Sequence, residues 1–170
     1  PFPTVLDFLK TELRLDRERV AVFASWETFR WIVSNEVGTF TVNAGYQSSD
    51  DSNSTIRTLA SQQFETLTPW DSVRHDFYTF RLAMAHLATY KPRVLYLALG
   101  ETDDWAHDGR YDRTLQALNQ FDDYLRELWK WLETDSQYRN RTGMIITVDH
   151  GRGNTATDWT DHGNATEGAQ

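Results

Sequence analysis

Five residues in the second half of this 170-residue chain have the types and order of metal ligands: Asp103, His107, Asp149, His150 and His162. They form three clusters. Asp103 and His107 are separated by three residues, so in a loop or a first helical turn both side chains face one ion. Asp149 and His150 are adjacent at the end of an apolar run. Neighbouring side chains there diverge, and a carboxylate and an imidazole reach two sides of a site. Gly151 follows and permits a close backbone approach or a positive φ. His162 precedes Gly163. Three imidazoles with two carboxylates suit zinc or manganese, whereas calcium takes oxygen-dominated sets.

Spacing alone is a weak signal, because Asp71 and His75 repeat it within a segment that reads as helix. That second copy is read as a surface pair, and His75 and His86 as core or surface histidines. Position separates the two copies. Asp103 follows the run Val94–Leu99 and a Gly turn, and Asp149 follows Met144–Val148. Both runs read as strands, the second as buried on both faces. Carboxyl ends of strands are where open α/β sheets hold their ligands.

The elements that must position these residues alternate. Thr4 caps an amphipathic helix carrying Val5, Leu6, Phe8, Leu9 and Leu13. Residues 19–24 read as a buried strand, 26–34 as helix, 39–42 as strand and 46–55 as a polar loop. Helices are predicted over 56–67 and 72–90. The longest, 111–133, carries Leu115, Leu118, Phe121, Leu125, Leu128 and Leu132 at three- and four-residue steps, a stripe expected to lie against a sheet. Alternating strands and helices predict an α/β fold with a doubly wound, mostly parallel sheet.

The order Asp-x-x-x-His, Asp-His-Gly, His-Gly resembles the alkaline phosphatase superfamily of metal-dependent phospho- and sulfo-hydrolases and mutases. The resemblance covers roughly residues 93–170. It implies a first metal held by Asp103, His107 and His162, and a second by Asp149 and His150. It also implies a Ser or Thr nucleophile and a further Asp upstream of Pro1. Ser25 and Thr28 follow the first strand, but no family motif supports either as that nucleophile. The chain opens without Met and stops at Gln170, so it reads as a single α/β domain fragment that is inactive by itself.

The chemistry implied for the complete protein is phosphate ester hydrolysis, by a phosphomonoesterase or phosphodiesterase, through a covalent phospho-enzyme. A phosphomutase, a sulfatase and a non-catalytic metal-binding or interaction domain are the alternatives. Glu101 and Asp104 flank Asp103 as candidates for orienting a ligand, and Arg152 as a candidate for meeting a substrate phosphate. The plainer readings are solvent-facing loop acids for Glu101 and Asp104, and a surface salt bridge for Arg152. Trp105 and Trp159 are candidates for lining a pocket, or for plain packing.

Composition bounds the partners. A formal charge of -8 argues against binding a nucleic-acid backbone. No run reaches the roughly 18–20 apolar residues of a membrane span. With no cysteine, disulfides and thiolate metal sites are excluded. A periplasmic or secreted location is compatible with the sequence, which carries no targeting signal.

Overall fold

The computed structural model describes residues 2–163 and residue 166; Pro1 and Gln170, which mark the ends, lie outside them. The chain divides into two compact units, Pro1–Gly100 and Glu101–Gln170.

The first unit is an α/β layer built on β1 (Val20–Ala24), with β2 (Thr41–Ala44) and β3 (Val94–Ala98) parallel on its two edges, in the order β2-β1-β3. All five residues of β1 are buried. Successive side chains of a strand point to opposite faces, and β1 uses both. Ala21 and Phe23 pack with Ile56 and Ala60 of α3 (Ser54–Gln62) and with Leu82 and Ala83 of α4 (Asp76–Tyr90). Val20 and Val22 pack on the other face with Leu6 of α1 (Val5–Glu12), Val33 and Phe40. Phe29 of the short α2 (Phe29–Ile32) adds to that second layer. The sheet is therefore wound on both faces, as its apolar strands predicted.

Local chemistry explains several boundaries. Thr4 and Asp7 form a capping box, each side chain accepting from the other's backbone N–H, at 3.2 and 2.9 Å. Thr4 also donates to Val33 O at 2.7 Å, which fixes α1 to the layer it covers. Burial pushes the Asp7 carboxyl up. Hydrogen bonds from Ser34, Thr4 and Asn35 outweigh that and hold it below its ordinary value. The α4 helix begins at Asp76, later than the pattern over 72–90 suggested. Asp71 and His75 are thus not an i,i+4 pair on a helix, because His75 is the residue preceding the first turn.

One buried network joins the carboxyl ends of β1 and β2 to α4. Arg74 is fully buried and donates to Asn43 Oδ1 (2.6 Å), Asn43 O (3.1 Å), Gln63 Oε1 (3.3 Å) and Thr79 Oγ1 (2.8 Å). Ser25 Oγ donates to Asp76 Oδ1 at 2.5 Å, and Gly100 N donates to the same oxygen at 2.8 Å. Burial and the nearby Arg30 lower the Arg74 pKa to about 9, against the attraction of Asp76 and Tyr46. The guanidinium remains charged at neutral pH.

The second unit contains α5 (Glu101–His107) and the long α6 (Tyr111–Thr134), which pack on each other. Two expectations are corrected here. The buried face of α6 is Ala117, Tyr124, Leu128 and Leu132, whereas Leu115 and Leu118 are exposed. The pattern named the right helix but placed the start of its stripe on the wrong side, since Ala117 and Tyr124 were not counted as core. The run Met144–Val148 forms no strand. Ile145 is 93% exposed and Val148 78%. A strand exists only through a neighbour that takes its N–H and C=O groups, and β-favouring composition cannot supply that neighbour. Among the described residues, no helix is long and apolar enough to cross a membrane.

Replacing Arg74 with Met removes the donor to three side chains while keeping bulk. Because it strands buried acceptors, Arg74→Met is expected to lower unfolding free energy by about 3–5 kcal/mol, read as a lower urea midpoint. Thr4→Ala, which removes one cap, is expected to cost about 1 kcal/mol. Equal midpoints for the two variants would show that the network does not tie the strand ends to α4.

Candidate metal centre

The centre is built from α5 and the irregular segment that follows α6. One turn of α5 separates Asp103 from His107, so both side chains project from the same face, and Asp103 Oδ2 lies 3.4 Å from His107 Nε2. His150 and His162 reach the other carboxylate oxygen, their Nε2 atoms 3.8 and 3.9 Å from Asp103 Oδ1. The His150 and His162 rings stack at 3.9 Å between centroids, and His107 Nε2 is 3.0 Å from His162 Nε2. Four of the five sequence-predicted ligands are therefore gathered, three imidazoles around the Asp103 carboxylate. The fifth, Asp149, is 88% exposed, with Oδ2 3.5 Å from His150 Nε2.

Tautomers follow from these partners. His150 Nδ1 lies 2.9 Å from Gly151 O. A carbonyl only accepts, so Nδ1 carries a proton, and Nε2 is the nitrogen that faces Asp103 and holds the lone pair of the neutral tautomer. The protein thus offers that nitrogen to an electron-pair acceptor. Burial, then the neighbouring His150, lowers the His162 pKa against the attraction of Asp103. Its ring is neutral at pH 7 and has a lone pair to give. Asp103, His150 and His162 each present one donor atom within 4.8 Å of the others. Nitrogen and carboxylate donors at that separation fit a divalent ion of the zinc or manganese type.

Arg152 holds the loops in place. It bonds Asp103 Oδ1, donates to Asp103 O at 2.9 Å, and donates to Thr160 O at 2.6 Å. One side chain thereby ties α5 to the loop two residues before His162. Its side chain is 19% exposed, and the salt bridge of its plainer reading is the one it makes, to Asp103. Gly153 matters in this loop more than Gly151. Gly153 N donates to Asp161 O at 3.1 Å, and a Cβ on Gly153 would collide with Asp158 O. Gly151 is not among the positive-φ residues, whereas Gly163 is, at φ 118°. Sequence reasoning missed Gly153 and Thr160. The flanking of Arg152 by two glycines was the available signal.

The remaining candidates are placed more simply. Glu101 accepts from Trp105 Nε1 at 3.4 Å, and the Asp104 carbonyl accepts from Asp108 N at 3.1 Å. Trp105 lies under Arg113 at 6.0 Å, and Trp159 meets the Tyr111 ring edge-on at 5.3 Å. Both tryptophans pack against α6 residues.

A carboxylate ringed by imidazoles is a donor set that could hold a metal ion. Comparison with known families agrees with that reading. The family model described as Metalloenzyme superfamily matches residues 75–166, more than half of the chain. The chain belongs to this superfamily, which is part of the alkaline phosphatase superfamily. Its three-stranded parallel sheet flanked by helices is consistent with that fold. No curated protein and no solved structure matches the chain.

The lowered His162 pKa gives a direct test. In the metal-free protein, the His162 ring is expected to gain its proton only as pH falls through a value below the ordinary 6.5. Imidazole nitrogen shifts in an NMR titration read this site by site. A midpoint above 6.5 would mean that Asp103 outweighs burial and the neighbouring rings.

Proposed function

We propose that the complete protein is a hydrolase of phosphate esters, a phosphomonoesterase or phosphodiesterase, with two zinc or manganese ions. The observation that carries this reading is the gathering of His107, His150 and His162 around the Asp103 carboxylate. Spacing supports the division into two ions. Two donors about 2.0–2.1 Å from a tetrahedral ion lie about 3.4 Å apart. His107 to Asp103 Oδ2 is 3.4 Å, His107 to His162 is 3.0 Å, and His150 to Asp149 Oδ2 is 3.5 Å. The first ion is assigned to Asp103, His107 and His162, and the second to Asp149 and His150.

Ions there would supply positive charge to oxygens that become negative during ester cleavage, and would lower the pKa of a hydroxyl nucleophile. The chain's own residues do the rest. Asp103 fixes the centre's charge and faces both His pairs. His150 is held in one tautomer by Gly151 O. Arg152 sets the position of the loop carrying His162, and its guanidinium fork suits a phosphate oxygen. A second reading, one ion on Asp103, His150 and His162, is favoured by the mutual proximity of those three donors.

The test is anomalous scattering at the zinc and manganese edges on metal-soaked crystals of the complete protein, with hydrolysis of an aryl phosphate and an aryl sulfate. Two peaks on the assigned residues and faster phosphate than sulfate cleavage are expected. Asp103→Asn and His162→Ala are expected to weaken metal binding by more than the roughly 10–100-fold typical of losing an outer partner. A single peak selects the one-ion reading. No peak at these residues, or no cleavage of either ester, would sink the hydrolase proposal.

A further inference from the structure

The His150 and His162 rings stack at 3.9 Å between centroids, yet the segment 151–161 separates them in the chain. A loose segment would leave the second ring free to wander, and its ordering would weaken any ligand that needs both rings. This segment is not loose. Two adjacent cross-links close its base. Arg152 donates to Thr160 O at 2.6 Å, and Gly153 N donates to Asp161 O at 3.1 Å. His162 is the next residue after that base.

Beyond the base the chain turns on itself, and Asp158 is the common member of the bonds that hold it. Thr155 N and Thr155 Oγ1 both donate to Asp158 Oδ1, at 2.8 and 2.6 Å. Asp161 N donates to Asp158 O at 2.9 Å, and Trp159 N donates to Thr155 O at 3.2 Å. The bonds from Thr155 keep the Asp158 carboxyl below its ordinary pKa, and a hydrogen bond to an ionised acceptor is stronger than one to a neutral oxygen. Gly153 leaves the space this turn occupies, since a Cβ there would collide with both Asp158 O and Asp158 Oδ1. On its other side the turn is held to α6, where Trp159 meets the Tyr111 ring. Asp158 is not among the grouped donors Asp103, His150 and His162, so it acts on them through the chain that joins them.

We propose that Asp158 is a positioning residue for the metal centre, holding through Thr155 the turn that lays the His162 ring on the His150 ring. The proposal rests on the reading of these imidazoles as metal ligands, and it makes their juxtaposition a property of the metal-free protein.

Two substitutions separate the turn from the charge. Asp158→Ala removes the acceptor that Thr155 uses, whereas Asp158→Asn removes the charge and keeps an oxygen acceptor. The first readout is nuclear Overhauser contact between the His150 and His162 ring protons in the metal-free full chain. The second is zinc affinity by isothermal titration, with folding checked by circular dichroism. Contacts are expected in the native chain and in Asp158→Asn, and are expected to be lost in Asp158→Ala. Asp158→Ala is expected to weaken zinc by about 10-fold, the low end for losing a partner that orients a ligand, and Asp158→Asn to stay close to the native affinity. Gly153→Ala, which forces the same turn open from the other side, is expected to lose the ring contacts as well. The proposal is overturned if the ring contacts persist in Asp158→Ala, or if Asp158→Asn loses them as completely as Asp158→Ala does. Zinc failing to bind the native chain would instead sink the metal reading, and the ring contacts would still decide what Asp158 does.

Discussion

Strand β1 is buried at every position and paired in parallel on both edges, and the first unit is organised by what that demands. A parallel strand with neighbours on both sides satisfies its backbone within the sheet, and its side chains must be covered on both faces. The helices follow from that: α3 and α4 cover Ala21 and Phe23, while α1 and the segment to Phe40 cover Val20 and Val22. The strand ends are harder to satisfy, because pairing stops there while burial continues. Ser25, Arg74, Asp76 and Thr79 meet at that point, all buried. With the order β2-β1-β3, the connection from β1 runs to one edge and the next, from β2, crosses to the other, the kind of place where open sheets leave a crevice. Here the protein fills it with its own hydrogen-bonded side chains, and no buried side-chain polar atom there lacks a partner. This is a brace rather than a ligand site.

In the second unit the comparable constraint is electrostatic. Three imidazoles and a guanidinium converge on Asp103. Grouped rings disfavour each other's protonation, and the lowered His162 pKa has His150 and His107 among its causes. Together with burial, which is the larger cause, this favours a neutral His162 ring. A surface built only for ion pairing would favour protonated rings instead. Arg152 provides permanent positive charge and mechanical linkage together, through Asp103 and Thr160 O.

Legibility in the sequence tracked how local the physics was. Thr4 and Asp7 announce a capping box within four residues, and the helix begins where they say. The strands at 20–24 and 94–98 were visible as apolar runs, and the first, buried at every position, has no polar alternation to confuse it. Met144–Val148 carries the same signal without becoming a strand, since the run encodes only a preference for extended chain and pairing depends on a neighbour. The α6 stripe was displaced because Tyr124 and Ala117 belong to the core for reasons of packing that a count of leucines does not register. The grouping of Asp103, His107, His150 and His162 was legible as order along the chain. The role of Arg152 was not, because its partner Thr160 O is a backbone atom with no sequence signature.

Arg152 also bears on how an ion would sit. Its guanidinium is on Oδ1 of Asp103, the same oxygen that His150 and His162 approach at 3.8 and 3.9 Å. An ion using Oδ1 must share that oxygen with a permanent cation in a partly buried site, where like charges repel more strongly than in water. Oδ2 carries no such burden and lies 3.4 Å from His107, whose Nε2 is 3.0 Å from His162. An ion on Oδ2, His107 and His162 can coexist with the Arg152 bridge. A single ion drawing on Oδ1 with His150 and His162 would have to displace it. The salt bridge thus favours an ion on Oδ2 with His107 and His162 over one on Oδ1 with His150 and His162, because the decisive quantity is which carboxylate oxygen is free.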